Sequence, residues 1–288
     1  MANRIGKIDL HMHTTISDGT DAPEELIGVL KTAGIALFSV TDHDAIKAAE
    51  ILPPLLNGQS LRFIPGVEFS CKDEDGKYHI LGYGYDPRSA AIRSVVEHGH
   101  ALRMKKVAAR LDFLKTQFGF SFPQEELDRL LALNNPGKPH IGNLMVQCGY
   151  AKTKEEAIEQ YINQVHFKSE YVRPEEAIEG ILAAGGVPIL AHPFYGSGSE
   201  LILGDEMEAR LLKLMEFGLE GLEAFYSGFP EKLRNTAISL AKKHHLYVTA
   251  GSDYHGTNKL VQLGDTGLDA AAEYPAELLR FLERFQKQ

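Results

Sequence analysis

Residues 8–13 read Ile-Asp-Leu-His-Met-His, and this stretch decides the fold. An apolar run that ends on two histidines is a short strand with its chemistry at its C-terminal end. Working outward, Asp21-Ala22-Pro23-Glu24 is a helix start, with Asp21 as N-cap, Pro23 in the first turn and Glu24 completing a capping box. That helix runs through Leu26 and Leu30 and stops near Gly34. Ile35–Val40 is the next strand, so residues 8–40 form a strand–helix–strand unit.

The alternation continues. Phe63-Ile64 leads into Gly66–Phe69 as a third strand, and Tyr78–Tyr83 is a fourth. Strands at 187–191, 219–225 and 247–252 follow, with helices at 174–184, 207–217, 231–244 and 275–285. Seven candidate strands, mostly joined by helices, indicate an α/β chain with a parallel sheet or barrel. Residues 88–168 differ. Helical patterns cover Val95–Phe118, Pro123–Leu133, Ile141–Cys148 and Thr153–Asn163, with Thr153 and Glu156 as a capping box. This reads as an inserted helical subdomain, a cap over residues 88–168, between barrel parts at 1–87 and 169–288.

Composition narrows the function. Across 288 residues, 30 basic and 39 acidic side chains leave a net charge of −9. That balance argues against a duplex-DNA coat, which needs a basic footprint. No apolar stretch is long enough to span a membrane, and the start lacks the apolar core of a signal peptide. Cys71 and Cys148 are the only cysteines and read as buried small hydrophobes in a reduced, cytoplasmic chain.

The imidazoles and carboxylates cluster at the predicted strand ends. His11 and His13 end the first strand, and Asp18 lies in the loop after it. Asp42, His43 and Asp44 follow the second, Glu68 lies near the end of the third and His79 within the fourth. His192 ends the fifth, and Asp253 and His255 follow the seventh. In parallel α/β folds this edge of the sheet carries the site. His11 and His13, two apart on a strand, face the same way, and Asp253 and His255 repeat that spacing. Burying so many ionisable groups without compensation costs several kcal/mol each, and metal cations are the simplest compensation. Imidazole and carboxylate donors suit Mn, Fe or Zn. His11, His13, Asp18, His43, Glu68, His79, His192, Asp253 and His255 are too many for one ion, so two or three divalent ions are expected. Such ions clamp a phosphoryl or carbonyl oxygen and ionise a bridging water.

Asp9-Leu10-His11-Met12-His13-Thr14, Ser17-Asp18-Gly19, Thr41-Asp42-His43-Asp44, Gly66-Val67-Glu68, His79, Ala191-His192-Pro193 and Gly251-Ser252-Asp253-Tyr254-His255-Gly256 together resemble the PHP (polymerase and histidinol phosphatase) superfamily. The resemblance covers residues 5–85 and 187–256. It implies a distorted seven-stranded (β/α)7 barrel with a trinuclear metal centre. Carried over, His11, His13, Glu68 and Asp253 hold a first ion. Glu68 bridges to a second, also held by His79 and His192, and Asp18, His43 and His255 hold a third. Some members have His where Asp18 stands. The helical insertion resembles the branch acting on nucleoside 3′,5′-bisphosphates and on RNA 5′ ends.

The insertion carries its own charge. Arg103, Lys105, Lys106 and Arg110 crowd one helix, and Lys138-Pro139-His140 opens another. If it caps the barrel mouth, Arg103, Lys106, His140 and Arg173 bind a substrate phosphate, since guanidinium matches phosphate with paired donors. The alternative for the helix cluster is a solvated face. His98, His100, His244 and His245 read as packing or surface residues, and Gly196–Ser199 as a linker or lid. Asp9, Asp42 and Asp44 read as partners that orient ligand imidazoles.

The reading is a metal-dependent phosphoesterase acting on a small phosphorylated substrate, a nucleotide or short RNA end, through a metal-bridging hydroxide. Asp253 is the candidate base, and His43 or His255 the proton donor to the leaving group if the third site stays vacant. The alternatives are a histidinol-phosphatase-like phosphomonoesterase, amide or lactone hydrolysis on the same metals, and a non-catalytic metal-binding regulatory module.

Overall fold

The computed structural model describes residues 6–166, 170–196, 200–268 and 273–286. The described residues form eight strands and ten α-helices. Strands β1 (Lys7–Asp9), β2 (Ile35–Phe38) and β3 (Arg62–Phe63) make one parallel sheet in that order. Strands β4 (Gly66–Lys72), β5 (Lys77–Tyr83), β6 (Val187–Leu190), β7 (Gly221–Tyr226) and β8 (Tyr247–Gly251) make the other. The described strands differ from the expected seven on two counts. Pro65, which has no N–H to donate, separates β3 from β4. The strands also fall into two sheets set edge to edge, with no closed barrel among the described residues. Backbone bonds stitch both seams. Leu10 N donates to Ala250 O (2.9 Å) and Asp253 N to His11 O (2.8 Å), while Asp44 N donates to Glu68 O (2.8 Å).

β4 and β5 form an antiparallel hairpin, and β5 is also antiparallel to β6. The remaining pairs of this sheet are parallel. Three loop regions therefore meet where β1, β2 and β8 end, and the hairpin supplies Glu68 and His79 from its own strands.

Helix α1 (Pro23–Ala33) starts one residue later than Asp21 suggests. Ala22 is the N-cap, and its amide donates to Glu25 Oε2 at 3.3 Å. Helix α2 (Ala48–Leu55) forms despite Pro53 and Pro54, with Ala48, Ala49 and Leu52 buried. The main core gathers both sheets with helices α7 (Pro174–Ala183), α8 (Gly204–Glu216), α9 (Glu231–Lys243) and α10 (Ala276–Glu283). A second cluster joins α1 and α2 to β2 through Leu26, Leu30, Phe38 and Leu52.

Helix α3 (Ala90–Phe118) is the longest, and it enters two cores. Ile92, Val95 and Leu102 lie in the main one. Val107 and Leu114 lie in a third, built with α4 (Gln124–Leu131), α5 (Lys138–Gln147) and α6 (Lys154–Gln160) around Leu130, Ile141, Met145 and Ala157. No described helix is long and apolar enough to cross a membrane.

Candidate metal centre

The centre is built around Glu68. This buried carboxylate lies in β4, and five imidazoles surround it. Its Oε2 lies 3.2 Å from His11 Nε2, 3.1 Å from His13 Nε2 and 3.2 Å from His43 Nδ1. Its Oε1 lies 2.8 Å from His79 Nδ1 and 3.3 Å from His192 Nε2. Asp253 Oδ1 adds a second carboxylate at 3.5 Å from His11 Nε2 and 3.4 Å from His13 Nε2. Asp18 Oδ1 lies 3.2 Å from His255 Nε2.

At this centre three groups have ligand atoms within 4.8 Å of one another: His11, His13, Glu68 and Asp253; His43, Glu68 and His79; and His13, Asp18, His43 and His255. The sequence assigned His43 to the outer set alone and paired His192 with His79. Here His43 also faces Glu68, and His13 joins the outer group. His192 reaches Glu68 from the side, its ring 5.0 Å from that of His79.

Hydrogen bonds fix the tautomers. His11 Nδ1 lies 3.0 Å from Glu223 Oε1, a carboxylate that only accepts, so Nδ1 carries the proton and Nε2 presents a lone pair. Ser17 Oγ donates to Asp42 Oδ1 at 2.7 Å and lies 3.3 Å from His13 Nδ1. It therefore accepts from His13 Nδ1 and frees Nε2. His255 Nδ1 donates to Asp253 O at 2.9 Å, again freeing Nε2. Lone pairs of His11 and His13 thus face lone pairs of Glu68. Among the described residues His11 Nε2, His13 Nε2, His43 Nδ1, His79 Nδ1 and Glu68 Oε2 are buried without a hydrogen-bond partner. Such a convergence is repulsive unless a cation lies between the atoms, so the residues present fit a metal site.

Protons compete with a metal cation for these atoms: burial lowers the His11 and His13 imidazoles, but the surrounding carboxylates outweigh it, raising His11 well above its ordinary value and His13 to about 9. Burial pushes the Glu68 carboxyl up, but the imidazoles of His43, His79 and His11 outweigh it and hold it well below the usual range. Asp253 and Asp18 are likewise held low against burial, chiefly by His11 and by His43 respectively. Burial pulls His43 well below its ordinary value and lowers His255, in both cases with His13 contributing. Asp253 also has donors of its own. Its Oδ2 accepts from Tyr226 Oη at 2.9 Å and from Lys259 Nζ at 2.6 Å.

The loops are bent to deliver these groups. Asp44, His192 and Asp253 have φ of 49°, 26° and 60°, in the left-handed region that non-glycine residues rarely adopt. Asp9 pins β1 to β8 by accepting from Ser252 N, Ser252 Oγ and Gly264 N at 2.9, 2.6 and 2.7 Å. Asp42 accepts from Thr14 N and Oγ1 at 2.8 and 2.7 Å. Gly251 permits the closest approach, since a Cβ there would collide with His11 Cβ and lie 2.7 Å from Glu223 Oε1.

A cavity of about 270 Å³ opens beside Asp18, His43 and His79 and is lined by Lys77, Arg103, Lys106, Arg110 and Lys138. Arg103, Lys106 and Arg110 share one face of α3 by their spacing. Arg103 Nη2 donates to Asp44 Oδ2 at 2.5 Å, and Asp44 Oδ1 accepts from Ser70 N at 3.0 Å. Burial, with Arg103 next, pushes the Lys106 ammonium down to about 7, and its Nζ sits 3.3 Å above the Tyr171 ring. His140 stands beside this cavity at the start of α5, its Nδ1 accepting from Gly137 N at 3.1 Å. Arg173 is not brought here. It is the N-cap of α7, with Nη2 3.9 Å from Glu74 on a separate groove.

Glu223 was not singled out from the sequence. The available signal was an acid inside the apolar run Leu222-Glu223-Ala224-Phe225. His98, His100 and His244 bond elsewhere, to Glu176, Asn134 O and Glu208. Of the Gly196–Ser199 loop, residues 197–199 lie outside the described residues, as does the boundary drawn at 168–169.

A family model described as PHP domain matches residues 9–172. The 5′-3′ exoribonuclease Rnm of Escherichia coli is 29% identical, over 89% of this chain and 87% of its own. The 3′,5′-nucleoside bisphosphate phosphatase of Chromobacterium violaceum is 27% identical, over 87% and 88%. A solved structure from Bifidobacterium adolescentis, provisionally assigned as a metal-dependent phosphoesterase, is 26% identical, covers 96% of both chains and superposes with a TM-score of 0.81.

Proposed function

The chain belongs to the PHP domain family, and on that premise we propose that it is a metal-dependent phosphoesterase acting on a nucleoside 3′,5′-bisphosphate or the 5′ end of a short RNA. One observation carries this reading. Buried imidazole and carboxylate atoms without hydrogen-bond partners converge beside a cavity lined by five basic side chains. An anion with two neighbouring phosphates fits such a site, one phosphate at the cage and the other against the basic wall. The names of the exoribonuclease and bisphosphate phosphatase relatives point to the same substrates.

His11, His13, Glu68 and Asp253 hold one ion, Glu68, His79 and His192 a second, and Asp18, His43 and His255 a third with help from His13. Manganese, iron and zinc all suit these donors. When bound, the cations neutralise phosphoryl charge and acidify water. The protein does the rest. Arg103, Lys106, Arg110 and Lys138 grip the second phosphate, with Asp44 fixing the Arg103 guanidinium. His140 offers Nε2–H as a further donor. Asp253 Oδ1 accepts a hydrogen bond from the attacking water and orients it. Glu223 holds His11 and His192, and Tyr171 carries Lys106 on its face.

We read the two sheets, stitched at both seams, as a distorted (β/α)7 barrel, with residues 88–168 as its cap. The two free cysteines, Cys71 and Cys148, fit the cytoplasm. The test is turnover by Mn-loaded protein of a nucleoside 3′,5′-bisphosphate, a 5′-phosphorylated oligoribonucleotide and histidinol phosphate. The first two should be hydrolysed, and chelation or His192→Ala should remove most activity. Failure to hydrolyse any phosphoester refutes the proposal.

A further inference from the structure

The outer ligand group, His13, Asp18, His43 and His255, differs from the inner one in what holds it. The inner ligands sit on paired strands or are tied to Glu223 and to the seam between β1 and β8. Asp18 and His43 lie instead in loops after β1 and β2, are only half-buried, and line the basic cavity.

Two asparagine side chains hold those loops. Asn258, in the turn that follows His255, donates from Nδ2 to Asp18 O at 2.8 Å. Its Oδ1 accepts from Lys154 Nζ of α6 at 2.9 Å, which fixes which end of the amide faces Asp18. The same turn is pinned by Thr257 N donating to Thr20 Oγ1 at 2.9 Å. On the opposite side Asn135, buried in the segment between α4 and α5, donates from Nδ2 to the backbone carbonyl of His43. Both loops that carry outer ligands are thus anchored to the α4–α6 segment, one directly and one through Asn258.

We propose that Asn258 and Asn135 are positioning residues through which the α4–α6 segment sets the occupancy of the outer cation site. The inference rests on the metal reading above. A ligand loop with a free carbonyl samples many geometries, and a cation site loses affinity when its donors must be ordered on binding. Anchoring Asp18 from the helical side removes that cost for the outer ion alone, whereas His43, which also faces Glu68, links the Asn135 anchor to the inner group as well. The outer ion then binds tightly only when the α4–α6 segment is docked. Asparagine is neutral, so replacing it leaves the charge of the cluster unchanged and the direction of the effect is fixed: the outer ion weakens.

The experiment is a manganese titration of Asn258→Ala and Asn135→Ala against wild type, with ions per chain counted by metal analysis after gel filtration. Thermal unfolding in chelator checks that each variant is folded. The expected result is a loss of about tenfold or more in affinity for the weakest-bound ion in both variants, with the tighter ions unchanged in Asn258→Ala. A merely structural role would lower the unfolding temperature without splitting the ions in this way. Asn258 is half-buried in a turn, so its variant serves if the more buried Asn135 variant fails to fold. Equal affinity and ion count in a folded variant and wild type overturn the proposal. A wild type that binds no manganese, iron or zinc defeats the metal reading itself, a separate and visible result.

Discussion

Glu223→Gln tests the architecture of the centre at one atom pair. Glu223 is fully buried in β7, lies 3.0 Å from His11 Nδ1 through Oε1, and accepts from His192 N at 2.9 Å through Oε2. Both partners are donors. A glutamine offers one oxygen, so its NH2 must face one of the two N–H groups. Losing a hydrogen bond to a charged acceptor costs about 1.5–3 kcal/mol. Removing a carboxylate behind a ligating histidine weakens metal binding about 10–100-fold, or roughly 1.4–2.8 kcal/mol. The two ranges coincide, and they share a cause: His11 Nε2 loses basicity and aim together. Competition of manganese against a fluorescent chelator should therefore show a tightly bound ion weakened by at least tenfold. Glu223→Ala should be worse for stability, because it leaves two buried donors unpaired at about 1–3 kcal/mol each. If Glu223→Gln folds and binds manganese within twofold of wild type, the claim that both carboxylate oxygens are needed to aim His11 and His192 is wrong.

The remaining predictions concern the cavity and the packing around it. With Lys106 at about 7, sulfate should bind most tightly below that pH and weaken by up to tenfold per unit as pH rises through it. Isothermal titration in a pH series checks this, and Lys106→Met should flatten the profile. The unfolded chain keeps an ordinary lysine, so it holds more protons between pH 7 and 10.5 and the same group makes stability rise with pH there. Gly251→Ala should destabilise the fold by about 3 kcal/mol or more in chelator melts, because the new methyl collides with His11. Ile141→Ala in the third core should cost about 2–5 kcal/mol, seen as faster hydrogen exchange in α4–α6 before it is seen in the sheets.

The sequence was most legible where chemistry and period coincide. His11 and His13 fall on one face by strand spacing, and the nine proposed ligands gather around Glu68 or next to it. The antiparallel pairing of β5 was missed, although one sign of it was present. Asp75-Gly76 between two β-rich runs was a hairpin signal, and the turn does form, with Asp73 N donating to Gly76 O at 3.0 Å. Helix α2 was missed because Pro53-Pro54 reads as a break, whereas burial of Leu52 and Ala49 holds it together. Arg173 lies beside the insertion in sequence, but position along the chain does not fix the direction of a side chain at a helix start. Glu223 went unnoticed because its role depends on His11, brought across a sheet seam from the other end of the chain.

Helix α3 imposes a constraint of another kind. It is one unbroken rod whose early turns are bolted into the sheets and whose late turns are bolted into the α4–α6 core. Each residue added or removed between Leu102 and Val107 rotates everything beyond by about 100° and shifts it by about 1.5 Å. A single insertion would swing Lys106 and Arg110 off the cavity wall and turn Val107 out of its core. The length of this shaft is thus locked by its own helical phase.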